Sequence, residues 1–388
     1  MKFIRIIPLT LAFLSASSAH AATFTVVSLA DSGPGTLRDC IVQAQTNPGA
    51  DIVQFHPSLS GTLRPLTTIF MTQSVTIIGP ESRGVSIDAS AVGILLHLSS
   101  DPDNELGLID LELFGGQSAV SLPQGGHLNV HRCVFRDFGG SMLLDAGVFN
   151  PTWNGAFPIS GTVRSSSFIN NRGIRAGVVI TTTNASGEPL EFVNCTFCNN
   201  SSTLGASIAF VWNLDSVGQG TLNFLNCTMT GNDGGTLSAP VGAINYGGTV
   251  LACRVKNCVM DENTGGLGSD PNFTGAASGR SLEGVNIFSN SMLSPLTLID
   301  RTYIRTPLPG SPCINTAHPD PAVLTDQITT PRPFLLPNVT PAPGSDGSDV
   351  GAVERQSGGC GFADINGSGR VDGADLSVIL STFGSTCP

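Results

Sequence analysis

Lysine is almost missing: in 388 residues it stands only at Lys2 and Lys256. Acidic residues number 29 against 18 Lys plus Arg, a formal net charge of −11. Such a chain has no basic surface with which to neutralise phosphates, so nucleic acid is excluded as a partner. Charged residues are 12% of the chain and aromatics 6%, with two Trp and two Tyr. Sparse charge with 46 Gly and 25 Pro argues for a turn-dense all-β fold. Long apolar runs are scarce as well. Lys2 and Arg5 precede the one clear run, Ile6 to Leu14, which ends in Ala19-His20-Ala21. That is the pattern of a secretory signal peptide over 1–21, too short to remain as a membrane span. The expectation is a secreted or cell-surface protein with no transmembrane segment after signal cleavage.

What the chain does contain is a repeat. Leu-Glu-Phe-Val-Asn-Cys-Thr-Phe at 190–197 returns as Leu-Asn-Phe-Leu-Asn-Cys-Thr-Met at 222–229 and Cys-Arg-Val-Lys-Asn-Cys-Val-Met at 253–260. Two weaker copies precede them, so that Cys133, Ser166, Cys195, Cys227 and Cys258 form one column. Phe135, Phe168, Phe197, Met229 and Met260 form another, two residues on. Apolar alternation of period two on either side of a bend predicts two short strands meeting at a corner. That corner carries Asn194, Asn226 and Asn257. Asn tolerates left-handed backbone angles, and stacked corners would set these amides in a ladder. A second Asn column, Asn171, Asn200, Asn232 and Asn263, closes the unit. A third apolar segment between copies (Ala176–Thr181, Leu204–Val211, Val241–Tyr246) gives three strands per coil. The Cys column recurs at intervals of 33, 29, 32 and 31 residues, one coil plus a variable loop. The fold class is therefore all-β, a right-handed parallel β-helix over 22–354. A β-sandwich has no reason to repeat one corner in successive passes.

Thr36 with Asp39 reads as a helix start, and Leu37, Cys40, Ile41 and Ala44 share one face before Asn47-Pro48-Gly49. This predicts an N-terminal helix capping the open core. Val75–Ile78, Ile94–Leu98 and Leu108–Leu113 read as further strands. From Gly266 the periodicity fades and Pro accumulates, which predicts last coils and a wrapped-back segment shielding the second end.

Two blocks carry a resemblance. Ala30-Asp31-Ser32-Gly33-Pro34-Gly35-Thr36-Leu37-Arg38 with Asn47-Pro48-Gly49-Ala50-Asp51 opens the chain. Leu308-Pro309-Gly310-Ser311-Pro312-Cys313-Ile314, Thr325-Asp326-Gln327, Pro331-Arg332-Pro333 and Asp349-Val350-Gly351-Ala352-Val353-Glu354 close it. The chain resembles secreted bacterial β-helix proteins of the polymorphic outer-membrane and choice-of-anchor kind. It departs from them at Asn315, usually Asp, and Ile328, usually Arg. The resemblance implies architecture more than activity.

Past a linker at 355–359 the chain changes character. Asp364, Asn366, Ser368, Asp372 and Asp375 fall at positions 1, 3, 5, 9 and 12 of a calcium loop, with Gly369 at the sharp turn and the Arg370 carbonyl as a further ligand. Leu376, Val378, Ile379, Leu380 and Phe383 would form the helix that leaves it. This module, 360–388, resembles a single-hand dockerin bracketed by Cys360 and Cys387, as in exported planctomycete proteins. The resemblance implies Ca²⁺ and a cohesin-like or cell-envelope anchor as partner. Cys360 with Cys387 is the favoured disulfide; the column cysteines read as buried thiols, with pairing between coils left open.

β-Helix lyases and hydrolases need an Arg or Lys base beside acidic calcium ligands, or paired carboxylates about 5–9.5 Å apart. The third-segment strands show Thr181, Ser207 and Asn245 and no acid. The one charged cluster is Arg132, Arg136 and Asp137 with Arg164, Arg172 and Arg175, against which stands the plain reading of solvated corner charges. His97, His127 and His131 fit no nucleophile or metal pattern. The expected function is a non-catalytic adhesion or carbohydrate-binding scaffold with a polysaccharide or surface component as ligand. The alternative is a polysaccharide lyase or glycoside hydrolase of the pectate-lyase-like type.

Overall fold

The computed structural model describes residues 21–356, apart from 83, 100, 140–145, 151–158, 183–187, 213–221, 236–242, 247–252, 266–269, 275–276 and 337–338, together with 373–382. The signal segment and all but a helical part of the tail module lie outside the described residues.

Three parallel sheets wrap one core. The long sheet has ten strands, from Thr23–Val26 through Leu190–Val193 and Leu222–Leu225 to Arg280–Glu283. The corner sheet has eight, from Gly61–Leu63 through Thr196–Cys198 to Val259–Asp261, and the third sheet eight, from Ile69–Met71 through Ala209–Trp212 to Phe273–Thr274. Successive coils pair in register, Phe192 with Phe224 and Phe224 with Val255, which is the right-handed parallel β-helix that the repeats predict.

The repeat works through backbone conformation. Asn194, Asn226 and Asn257 have φ of 52, 50 and 54°, and Ser165, Arg132 and Asp110 take the same left-handed conformation at the same corner. In these six coils one left-handed residue breaks the chain between the long and the corner sheet, after which the Cys-column side chain points inward. The run read as one strand, Leu108–Leu113, is thus two, Glu105–Ile109 and Glu112–Phe114, broken at Asp110. It is a further copy of the motif with Asp-Leu in place of Asn-Cys.

The amide ladder sits in the second Asn column, a correction to the expectation for Asn194, Asn226 and Asn257. Asn200 Oδ1 accepts from the backbone N and Nδ2 of Asn171, both at 3.0 Å. Asn232 does the same for Asn200 at 3.0 and 2.9 Å, and Asn263 for Asn232 at 3.0 and 2.9 Å. Each Nδ2 also donates to a carbonyl of the preceding coil, such as Phe168 at 2.8 Å for Asn200. The left-handed Asn residues turn outward instead: Asn194 Nδ2 donates to the Thr325 carbonyl at 2.6 Å and Asn257 Nδ2 to that of His318 at 2.8 Å.

Inside, Phe135, Phe168 and Phe197 stack face to face at 5.2 and 4.8 Å between centroids, and Phe192 on Phe224 at 5.2 Å. The eight described cysteines are free thiols. Cys133, Cys195 and Cys227 donate to the carbonyls of Leu108, Val163 and Phe192 at 3.3, 3.4 and 3.3 Å. Burial pushes the thiols of Cys195 and Cys258 up, and that of Cys253 up to about 12. The column cysteines are therefore small core residues with a weak donor.

Helix α1, Leu37–Thr46, starts at Thr36, whose hydroxyl accepts from Asp39 N, and buries Leu37, Cys40, Ile41 and Ala44 in the main core beside the first strands. The segment after the last coil wraps back as expected, but among the described residues it lies along the outside of the corner sheet and leaves Leu282 at the second end 45% exposed. Ser167 Oγ meets Thr302 Oγ1 at 2.9 Å, Thr196 Oγ1 donates to Gln327 Oε1 at 2.6 Å, and Ala352 N donates to Thr228 Oγ1 at 3.0 Å. Val259 packs with Leu293, Cys313, Ala317 and Val350.

Candidate ligand-binding face

The last four strands of the corner sheet are covered by this strap, which engages their outward Ser167, Thr196 and Thr228. The third sheet points Phe70, His97, Ser121 and Asn150 outward in one column. Phe70 meets His97 edge-on at 5.2 Å, Ser121 and Asn150 are buried, and burial holds the His97 imidazole below its ordinary value.

The long sheet leaves the third face. In-register pairing stacks Asn129, Thr162, Glu191, Asn223 and Arg254 in one outward column. His131, Arg164, Val193, Leu225 and Lys256 form the neighbouring column. Asn223 Nδ2 donates to Glu191 Oε1 at 2.9 Å, and Asn129 Nδ2 to Glu105 Oε1 at 3.3 Å. Asn129, Arg164 and Arg254 are exposed. Parallel pairing spaces these groups about 4.8 Å apart, a regular row of donors and acceptors beside a mixed column of His131, Arg164, Val193, Leu225 and Lys256.

Charge placement limits the chemistry. The carboxylates on the outer face of the described strands of this sheet are Glu105, Glu191 and Glu283, each three strands from the next. Three strand spacings come to about 14 Å, outside the roughly 5–9.5 Å that paired glycosidase carboxylates require. His127 shares a 2.7 Å hydrogen bond with buried Ser160, its neighbour on the next strand. Both fall at the start of their strands, as a cross-strand pair of the ladder.

The arginine group is spread over ion pairs rather than gathered into a base. Arg136 Nε and Nη1 lie 2.7 Å from Glu112 and 2.7 Å from Asp137, and its guanidinium sits 4.2 Å over the Phe114 ring. Arg132 pairs with Asp110. Arg164 and Arg172 are exposed on different sheets, and Arg175 is half-buried. A guanidinium held between two carboxylates is a poor proton acceptor.

Of the expected calcium residues, Asp364, Asn366, Ser368, Arg370 and Asp372 lie outside the described residues. Asp375 is buried in the first turn of α2, Gly373–Thr382, the helix expected after the loop. Among the described residues no group of three or more His, Cys, Asp or Glu is placed to hold a metal ion, and no helix is long and apolar enough to cross a membrane.

No family model matches the chain, and no curated protein does. The geometry alone therefore carries the functional argument.

The strap contains one charged cluster that local pattern did not reveal as such. Arg332, 6% exposed, pairs with fully buried Glu354 at 2.6 Å and donates to the carbonyls of Asp349 and Gly351 at 2.8 and 2.6 Å. Asp349 accepts from the backbone N of Asn315 and Arg355, each at 2.7 Å. Asp326 accepts from Ile328, Thr330 and Glu354 at 2.9, 2.7 and 2.9 Å. Burial pushes Asp349 up to about 6 and Glu354 up to about 8, against the pull of Arg332 on both. These residues are those of the C-terminal blocks singled out in the sequence, and their partners are backbone groups of the strap itself. They fasten the strap. Of the two departures, Ile328 offers the cluster its backbone N–H, while Asn315, left-handed at φ 54°, offers its backbone N–H to Asp349 and also donates from Nδ2 to the Val339 carbonyl at 2.9 Å.

Proposed function

We propose that this protein is an exported, surface-attached β-helix that binds an extended polysaccharide along the outer face of its long sheet without cleaving it, held to its anchor by the calcium-binding tail. The observation that carries this reading is the row Asn129, Thr162, Glu191, Asn223 and Arg254, with its repeat of about 4.8 Å and its separated acids. Amide, hydroxyl and guanidinium groups on such a row hydrogen-bond a sugar chain, while its one carboxylate, Glu191, already accepts from Asn223 and serves as a further sugar acceptor. In the same reading α1 is the cap of the first coil, and 1–21 directs export.

The protein is to be incubated with pectate, alginate and neutral glycans, with and without Ca²⁺. Retention without new unsaturated or reducing ends is expected. Replacing Asn223 and Arg254 together by Ala should weaken retention about tenfold, the equivalent of ~1.4 kcal/mol. Turnover that disappears in R136A or R164A would sink the non-catalytic reading in favour of a lyase.

The tail is tested separately. Calorimetry on the full chain should show one Ca²⁺ bound per molecule, abolished when Asp364 and Asp372 are both changed to Ala, because the site depends on carboxylate oxygens. Absence of calcium heat in the unaltered chain removes the anchoring part of the proposal and leaves the glycan-binding part standing.

A further inference from the structure

The two ends of the solenoid differ. At the first coil, α1 lays four buried side chains into the core. At the last, the central core column Val53, Ile77, Leu108, Val130, Val163, Phe192, Phe224, Val255 finishes in Leu282. From Val53 to Val255 no member is more than 1% exposed, whereas Leu282 is 45% exposed and Phe288, edge-on to Phe273, 39%. Leu282 lies on the terminal strand of the long sheet, Arg280–Glu283, which pairs on one side with Cys253–Lys256 and on the other with no strand among the described residues. An apolar core column that stops at an unpaired strand edge is a template for another strand.

We propose that two copies of this chain associate tail to tail through this end, Arg280–Glu283 pairing antiparallel with its own symmetry mate about Leu282. Three observations favour a second copy over other occupants. The described helix of the chain's own tail is engaged elsewhere: α2 packs on Thr297–Ile299. The hairpin partner of that strand, Thr302–Ile304, bonds Ser167, whose corner-sheet strand is three strands short of the last. The strand is also self-complementary. With Leu282 opposite Leu282, both inward, Ser281 faces Glu283 of the mate, a hydroxyl donor against a carboxylate, and Gly284, φ 61°, faces Arg280. The Arg280 guanidinium is already placed 2.9 Å from Asp270 and 4.5 Å over Phe273, so it does not obstruct the edge. Finally, α1 buries Leu37, Cys40, Ile41 and Ala44 against the first strands, so head-to-tail stacking would meet a covered core at that end. The contact is isologous and closes as a two-fold pair instead of growing into a fibre.

The strand edge is short and each copy is acidic, so the affinity should be weak, in the micromolar range, and should strengthen with added salt. Sedimentation equilibrium of the chain from Ala22, up to about 100 μM, should show a monomer–dimer equilibrium with no larger species. L282K should be monomeric over that range with unchanged circular dichroism and melting temperature, while V27K, at an exposed position near the first coil, should dimerise as the parent does. L282C under mild oxidation should give a covalent dimer, since directly opposite residues in antiparallel strands stand within bridging distance. A monomeric parent, dimerisation untouched by L282K, or an open series of oligomers would each overturn the proposal.

Discussion

Replacing Arg332 with Met is expected to cost about 3–5 kcal/mol of stability at pH 8 and clearly less at pH 5. The guanidinium pairs Glu354 at 2.6 Å and draws on both Asp326 and Asp349. Removing it takes the ion-pair partner from Glu354, which is 0% exposed, and leaves buried Asp349 with the pull of Arg355 alone. At pH 5 they take up protons and the loss shrinks. The unaltered protein follows the same sign. Glu354 is raised from 4.5 to about 8 and Asp349 from 3.8 to about 6, both by burial. Between about pH 4 and 8 the folded chain therefore holds protons that the unfolded chain has released. Stability should fall as pH rises through that window, by up to about 1.4 kcal/mol per pH unit for each such proton. Below it the slope reverses, as Asp31, held below its ordinary 3.8 by its hydrogen bond from Arg38, is protonated. Denaturant titrations of the parent, R332M and E354Q at pH 5 and pH 8 decide the matter. E354Q should flatten the window, and an equal loss for R332M at both pH values would contradict the account.

Changing Asn200 to Leu should be nearly as severe, about 4 kcal/mol. The side chain accepts twice from Asn171 and donates to Phe168 O and Asn232 Oδ1, all buried, so Leu takes the partner from the Asn171 backbone N–H and from the Phe168 carbonyl, while Asn232 Oδ1 keeps the Asn200 backbone N. Each stranded buried group costs about 1–3 kcal/mol. The neighbouring column provides the contrast. Asn226 is left-handed, φ 50°, and its buried Oδ1 has no hydrogen-bond partner among the described residues. Its role is conformational, and N226G, which takes that φ freely, should change stability by less than about 1 kcal/mol. Thermal unfolding of the two variants side by side measures the difference, and equal losses would return the ladder to the left-handed column.

Much of this protein was legible in its sequence because a solenoid repeats its local rules. Period-two alternation around Asn-Cys located the strands and corners at Leu190–Cys198, Leu222–Thr230 and Cys253–Asp261, and the spacing located the coil. The copy at Glu105–Phe114 was harder to see, since an uninterrupted apolar run conceals a corner when Asp110 takes the left-handed place that Asn holds elsewhere. The outward row on the long sheet was equally hard to see. Which polar residues share a column depends on register between strands about 30 residues apart, and loops of different length hide it.

The sequence by itself determined the all-β parallel solenoid, its three strands per coil and the helix at its start, because each of these follows from side-chain periodicity and turn residues within one coil. Three further features were decided only in the folded protein. These are the Asn column that forms the ladder, the course of the strap along the corner sheet, and the exposure of Leu282 at the far end. Two Asn columns look alike in sequence, but a left-handed residue throws its side chain outward and the next residue inward. The strap is held by bonds such as Thr196 to Gln327 and Thr228 to Ala352, between residues more than 120 positions apart. No local pattern carries such contacts: they exist because stacked coils and a returning chain place distant polar groups opposite one another, where burial leaves them no other partner.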